Sequence, residues 1–464
     1  MQYLIVASLF AALTLASPSP DPFNKHNPDV LADTGTRPTG TMHGVNLGSW
    51  LLTEPYMVPS LYEDPELAGW HFGTDGKVVF SKNVPKDAKP AIIDEYTLWS
   101  VLGHDKALKL LEKHWDTWYT EDDFHKFSAA GLNTVRLPIG YWTVNPIASD
   151  PYGMGMEAAF YVDKALEWAS KANLKVIIDL HAAYKSQNGF DNSARAGVAG
   201  WGDAESVKHT LQTLELIVKK WGSHSSVYGI AVLNEPASFL ISSKIIDDFH
   251  KKAIEVVRPL GKDIYISDSF RPYAETAKLF GASKAKYSEH VVLDTHLYQV
   301  FSDGENSITH DHHLNWTCGD RRKEVAAGFA KMNLIVGELS GAQTDCAKYL
   351  NGFKKGSRYD GTFNNTKPMG DCKDKQSLKT MSDTAKQEVK EFIGAQLDAY
   401  SSSSIGWLFW AGKAEATADL WSFEALYDAK LFDFKGSKGF CDKYNAGKKP
   451  MEIPGDTAGP STQK

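Results

Sequence analysis

Two glutamates carry the first chemical signal. Glu235 and Glu338 each stand just after a short apolar run, Ile230-Ala-Val-Leu233 and Leu334-Ile-Val336. A carboxylate at the end of a buried strand is costly unless it is paired or used. Placed on opposite sides of one cavity, two such groups can serve as proton donor and nucleophile at a glycosidic bond, and a separation of about 5 Å would make the outcome retaining. The ends of other apolar runs carry Arg136, Asp179, His181, Asn234, His296, Tyr298 and Trp410. Asn234, beside Glu235, is placed to hydrogen-bond a sugar 2-OH. Arg136 and Tyr298 are suited to hold Glu338 ionised and oriented, because a nearby cation and a hydroxyl donor both favour carboxylate over acid. Trp410 offers a flat platform for a sugar ring.

Something must bring these residues to one place. Eight short runs read as strands: Met42 to Gly48, Thr134 to Ile139, Lys175 to Leu180, Tyr228 to Leu233, Asp263 to Ser267, Val291 to Thr295, Leu334 to Gly337 and Ser404 to Phe409. Val176-Ile-Ile178 is apolar throughout, as expected of a strand buried on both faces. Helical periodicity fills the intervals at Glu121 to Ala130, Glu157 to Ala172, Glu205 to Trp221, Ser242 to Val257, Arg321 to Lys331 and Thr384 to Tyr400. This alternation predicts an α/β fold, a (β/α)8 TIM barrel with loop insertions on the catalytic face, in preference to an open doubly wound sheet. Barrel active sites form at the C-terminal strand ends, where the residues above fall. Pro55 to Trp115 and Gly341 to Ser382 are too long to be plain connections and read as insertions that could shape a pocket.

Composition narrows the partners. The 464 residues carry a formal net charge of −7, with 42% hydrophobic and 23% charged residues. That balance suits a globular chain and argues against nucleic acid, whose binding needs a basic surface. The apolar run Met1 to Ser17, ending Thr14-Leu15-Ala16 and followed by Pro18, reads as a secretory signal peptide. Residues 18–41 then form an extension, 42–445 a single catalytic domain and 446–464 a flexible tail, with no membrane partner expected. Cys318, Cys346, Cys372 and Cys441 are an even set suited to two disulfides in an exported chain, with three connectivities open. Asn315-Trp-Thr317 and Asn364-Asn-Thr366 are glycosylation sequons. His310-Asp-His-His313 reads as a solvated loop rather than a metal cluster, since adjacent histidines do not share one face. Gly44-Val-Asn-Leu-Gly48 lacks the third glycine of a nucleotide fingerprint. No metal and no cofactor are expected.

Seven segments in order resemble the fungal exo-β-1,3-glucanases of glycoside hydrolase family 5: His43 to Trp50 with Glu54-Pro-Tyr56, Val135 to Trp142, Ile178-Asp-Leu-His181 with Ser186 to Asn192, Leu233-Asn-Glu-Pro236, His296 to Phe301, Gly337-Glu338, and Gly406 to Trp410. The resemblance implies a secreted or wall-associated retaining enzyme that releases glucose from non-reducing ends of β-1,3-glucan; a monomer is expected. It implies Glu235 as acid/base and Glu338 as nucleophile, with Arg136, His181, Asn234, His296, Tyr298 and Trp410 in support. Glu54, Tyr56, Asp191 and Asn192 would bind the terminal glucose, and Phe190 and Phe301 would form an aromatic clamp at the entrance. It also implies Cys318 paired with Cys441 and Cys346 with Cys372.

Two stretches depart from the family pattern. Ala182-Ala-Tyr-Lys185 replaces Gly-Ala-Pro-Gly, which would put Tyr184 and Lys185 beside the pocket. Ala411-Gly-Lys-Ala-Glu415 replaces Ser-Trp-Lys-Thr-Glu, so Gly412 would cost a stacking surface worth about 1 to 3 kcal/mol. Competing readings are a relative preferring β-1,6 links or other β-glucosides, a transglucosylase, or a wall-binding protein without turnover, the last opposed by the intact glutamate pair. A metal-dependent hydrolase barrel would need His-x-His on the first strand, where the chain reads His43-Gly-Val.

Overall fold

The computed structural model describes residues 39–152 and 156–446. The leader expected over Met1 to Ser17, nearly all of the extension that follows it and the tail beyond Ala446 lie outside them.

Eight parallel strands close into a barrel: β1 (Met42–Asn46), β2 (Thr134–Gly140), β3 (Lys175–Ala182), β4 (Val227–Ala231), β5 (Asp263–Ser267), β6 (Val291–His296), β7 (Leu334–Leu339) and β8 (Gly406–Phe409). Each pairs with the next, and β1 pairs with both β2 and β8. A helix follows each strand: α1 (Glu121–Ala129), α2 (Ala158–Lys171), α3 (Ala204–Trp221), α4 (Ser243–Val257), α5 (Tyr273–Phe280), α6 (Arg322–Phe329), α7 (Asp383–Ser403) and α8 (Phe423–Asp428). The chain is therefore a (β/α)8 barrel.

Local chemistry sets these elements. β3 is buried along almost its whole length, so β-branched residues serve both its faces. α4 buries Ile246, Phe249, Ala253, Ile254 and Val257, a stripe at helical spacing that turns toward the sheet. Asp203 and Ser382 cap α3 and α7, their side chains accepting from the backbone N–H of Ser206 and Ala385. Inside the barrel, Met42, Ile177, Ala231, Tyr265, Val292, Ile335 and Leu408 pack as one buried layer. The lumen is filled, and polar groups collect at its C-terminal end.

The β1–α1 insertion holds a small antiparallel pair, Trp70–Phe72 with Val78–Phe80, and the helices Glu95–Leu102 and His104–Trp118. Cys346 is bridged to Cys372 within the β7–α7 insertion, and Cys318 to Cys441. The stretch from His310 corrects the expected loop. It is a helix, His310–Trp316, capped by Thr309, and it buries His313 against Gln299 with Nδ1 2.7 Å from Oε1. Asn315 lies within that helix and Thr317 is buried, its hydroxyl donating to the His313 carbonyl at 2.8 Å, whereas Asn364 is exposed in a turn. Among the described residues, no helix is long and apolar enough to cross a membrane.

Candidate active site

Two backbone features aim the glutamates. The register between β6 and β7 skips one residue, Thr295 facing Val336 and His296 facing Glu338, so Gly337 is the extra residue of a bulge. A Cβ at Gly337 would lie 1.9 Å from Asp294 Oδ1, so only glycine lets that carboxylate close in beneath the bulge. After β4, the backbone N–H of Asn234 donates to the Leu180 carbonyl at 3.0 Å, and Glu235 turns with φ at +43°. A non-glycine residue in this region carries strain of order 1 kcal/mol or more and is held there by its surroundings.

Both carboxylates are buried, Glu235 at 3% and Glu338 at 4% exposure, and one oxygen of each lies within 4.8 Å of the other. Glu338 Oε1 accepts from Arg136 at 3.0 Å and Oε2 from the Tyr298 hydroxyl at 2.7 Å. Glu235 Oε2 accepts from Asn192 Nδ2 at 2.8 Å, and its Oε1 lies 2.8 Å from His296 Nδ1. The same nitrogen is 3.3 Å from Glu338, so His296 bridges the pair. Burial opposes charge on His296, but Glu338, Asp294 and Glu235 outweigh it and raise its pKa well above the ordinary histidine value. Burial and the Glu338 charge push the Tyr298 phenol up as well, so Tyr298 remains a donor.

Arg136 is the hub beneath. Its guanidinium donates to Asn46 at 3.0 Å, to Asn234 at 2.9 Å and to Glu338, and lies 3.2 Å from Asp179 and 3.9 Å from Asp294. Burial works against the charge, but Asp179, Glu338 and Asp294 prevail and hold the proton more tightly than usual. His181 Nδ1 is 2.6 Å from Asp179, and its ring stacks on Trp410 at 5.3 Å. The Trp410 indole N–H donates to Tyr56 at 2.7 Å. The cluster of Glu235, His296 and Glu338 offers atoms a cation could use. Arg136 and His296 already occupy these carboxylates, at 3.0 Å from Glu338 and 2.8 Å from Glu235, so an ion would have to displace His296 from between them.

Above this network opens a pocket. Glu54, Tyr56, His181, Asp191, Asn192, Tyr298, Glu338 and Trp410 line it, with Phe190 and Phe301. Arg136, Asn234, His296 and Glu235 are buried behind, Glu235 reaching the pocket through Asn192 and His296. With Asp179 beside Arg136, all fifteen residues singled out in the sequence thus converge. Sequence reasoning missed Asn46, Asp294, Leu350 and Trp421. The first two are polar residues in otherwise apolar strands, a signal that was available. Leu350 and Trp421 come from insertions with no periodic pattern to place them.

The two departures turn out differently from expectation. Tyr184 packs on Tyr141 and His209, and Lys185 pairs with Asp203 and Glu205 at 2.6 and 2.7 Å, so neither lines the pocket. A Cβ at Gly412 would point at Phe127 and Tyr119, 2.8 and 3.0 Å away, into the core. No pocket stacking is lost there. Trp421, from the same β8–α8 loop, supplies an aromatic wall 5.2 Å from Tyr298. Gly412→Trp is accordingly expected to destabilise by about 1 to 3 kcal/mol through overpacking, without lowering KM, as thermal melts and kinetics would show.

Comparison with known proteins agrees with this geometry. Residues 101–359 match the family model Cellulase (glycosyl hydrolase family 5). The chain is 37% identical over 401 residues to a glucan 1,3-beta-glucosidase of Schwanniomyces occidentalis, covering 85% of this chain and 87% of the relative. It is 38% identical over 398 residues to a glucan 1,3-beta-glucosidase of Blumeria graminis, covering 84% and 86%. The solved structure of a rutinosidase from Aspergillus niger superposes with a TM-score of 0.60 at 19% identity, over 85% of this chain and 98% of that one, a likeness of fold. The chain belongs to glycosyl hydrolase family 5, alongside the fungal glucan 1,3-beta-glucosidases, and is a glycoside hydrolase.

Proposed function

We propose that the protein is a secreted, retaining exo-glucosidase that releases glucose from the non-reducing ends of β-1,3-glucan. Glu338 is the nucleophile and Glu235 the acid/base. The observation that carries this reading is the carboxylate pair, whose oxygens lie within 4.8 Å. That spacing suits double displacement, for which about 5 to 5.5 Å is typical, and leaves no room for the water an inverting enzyme places between its carboxylates. Two donors, Arg136 and Tyr298, hold Glu338 in the orientation a nucleophile needs. Glu235, held by Asn192 and His296, takes the proton-donor role.

In the first step Glu338 attacks the anomeric carbon while Glu235 protonates the departing oxygen. In the second, water deprotonated by Glu235 releases β-glucose. Asn234, held by Arg136, is placed for the 2-OH, where a hydrogen bond strengthens in the transition state. The pocket walls of Glu54, Tyr56, Asp191 and Trp410 suit a terminal sugar, which supports exo attack. The apolar N-terminal run and two disulfides support export. Proton NMR of laminarin digestion tests the reading: β-glucose should appear first and mutarotate later. Longer fragments, or α-glucose at the start, would sink it.

A further inference from the structure

Asp94 and Glu95 open the helix Glu95–Leu102 in the β1–α1 insertion, and neither lines the pocket. Both are buried, at 1% and 0% exposure. Capping the helix uses one oxygen of Asp94, which accepts from the backbone N–H of Thr97 at 2.7 Å. The other oxygen reaches outward and accepts from the backbone N–H of Ala196 at 2.7 Å. Beside it, the Tyr96 N–H donates to the Ala194 carbonyl at 2.8 Å, and the Arg195 guanidinium lies 4.3 Å over the Tyr96 ring centre. These contacts hold the stretch that directly follows Asp191 and Asn192. Asn192 in turn donates to Glu235.

Glu95 grips the opposite loop. Its Oε2 accepts from the backbone N–H of Thr53 at 2.7 Å and the Thr53 hydroxyl at 3.0 Å. Thr53 immediately precedes Glu54, a pocket wall. Two adjacent carboxylates are therefore buried at the cost of their hydration; bonds to two different pocket loops offset part of that cost, and burial still raises both pKa values, that of Glu95 to about 7.

We propose that Asp94 and Glu95 are positioning residues, a clasp that fixes the Glu54 loop relative to the Asp191–Asn192 loop and, through Asn192, aims Glu235. The proposal rests on the reading of Glu235 as acid/base and Glu54 as a glucose-binding wall. The two arms have separate signatures. Asp94→Asn sets an amide N–H₂ against a backbone N–H, frees the Asn192 loop and impairs proton donation. Glu95→Gln does the same to Thr53 and impairs sugar binding.

The test is kinetics on aryl β-glucosides of graded leaving-group acidity, per active site counted by labelling with 2,4-dinitrophenyl 2-deoxy-2-fluoro-β-glucoside. Asp94→Asn is expected to lower kcat/KM by roughly 10-fold for phenyl β-glucoside and by less than about 2-fold for the dinitrophenyl glucoside, which needs no acid. Glu95→Gln is expected to raise KM by roughly 5-fold across the series with no change in leaving-group slope. If one variant does not fold, the signature of the other decides. Wild-type slope and KM per labelled site would overturn the clasp and leave a merely structural role. Wild type that cleaves and labels with none of these glucosides would instead overturn the reading on which the clasp rests.

Discussion

Glu338→Gln should abolish turnover while leaving the fold in place. The expected loss in kcat/KM on a β-glucoside is roughly 10⁴-fold or more, the scale on which removal of a covalent nucleophile acts. Glutamine is isosteric, and the Tyr298 hydroxyl can rotate to accept from its amide, so the packing should survive. Two further consequences follow from the network. A fluoroglucoside reagent that labels wild type should leave the variant unlabelled, because no carboxylate remains to trap the sugar. His296 should also hold its proton less tightly, since Glu338 is the foremost of the charges that raise its pKa. Normal turnover by the variant would remove Glu338 from the mechanism.

The second large effect depends on the substrate. Glu235→Ala should cost roughly 10²- to 10⁴-fold on glucan, where the departing oxygen must be protonated. It should cost far less for formation of the glycosyl-enzyme from a dinitrophenyl glucoside. Added azide should then accelerate release of the sugar and yield β-glucosyl azide, because a small anion can enter the space the carboxylate vacates and needs no base. An α-azide, or a uniform loss across all leaving groups, would contradict the assignment of acid/base to Glu235.

Much of this arrangement was legible in the sequence because barrel physics writes it plainly. Strands buried on both faces must be apolar, so Val176-Ile-Ile178 announced itself, and a carboxylate ending such a run had to be accounted for. Other features are legible only in three dimensions. Asn46 and Asp294 acquire meaning from the lumen, which brings them to Arg136 from strands far apart in the chain. Tyr184, Lys185 and Gly412 were misread because their neighbours in sequence line the pocket, whereas the local backbone turns their own side chains, or the space for one, toward other partners. α5 escaped because its stripe of Tyr273, Thr276, Ala277 and Phe280 spans only eight residues, with Thr276 polar in it. The helix at His310 escaped because three histidines and an aspartate look polar until Thr309 caps them and Gln299 takes His313.

Arg136 also has a meaning for assembly. Its partners sit on or just after β1, β3, β4, β6 and β7, and one of them, Asn46, donates onward to the Gly337 and Phe409 carbonyls of β7 and β8. The seam where the first strand of the barrel meets the last is therefore sewn from inside the site. A nascent chain lacking β8 cannot complete it, and until the ring closes Asn46, which accepts from Arg136, lacks its Phe409 acceptor. Synthesis must reach the last strand before this seam can form, which ties the geometry of the site to completion of the ring.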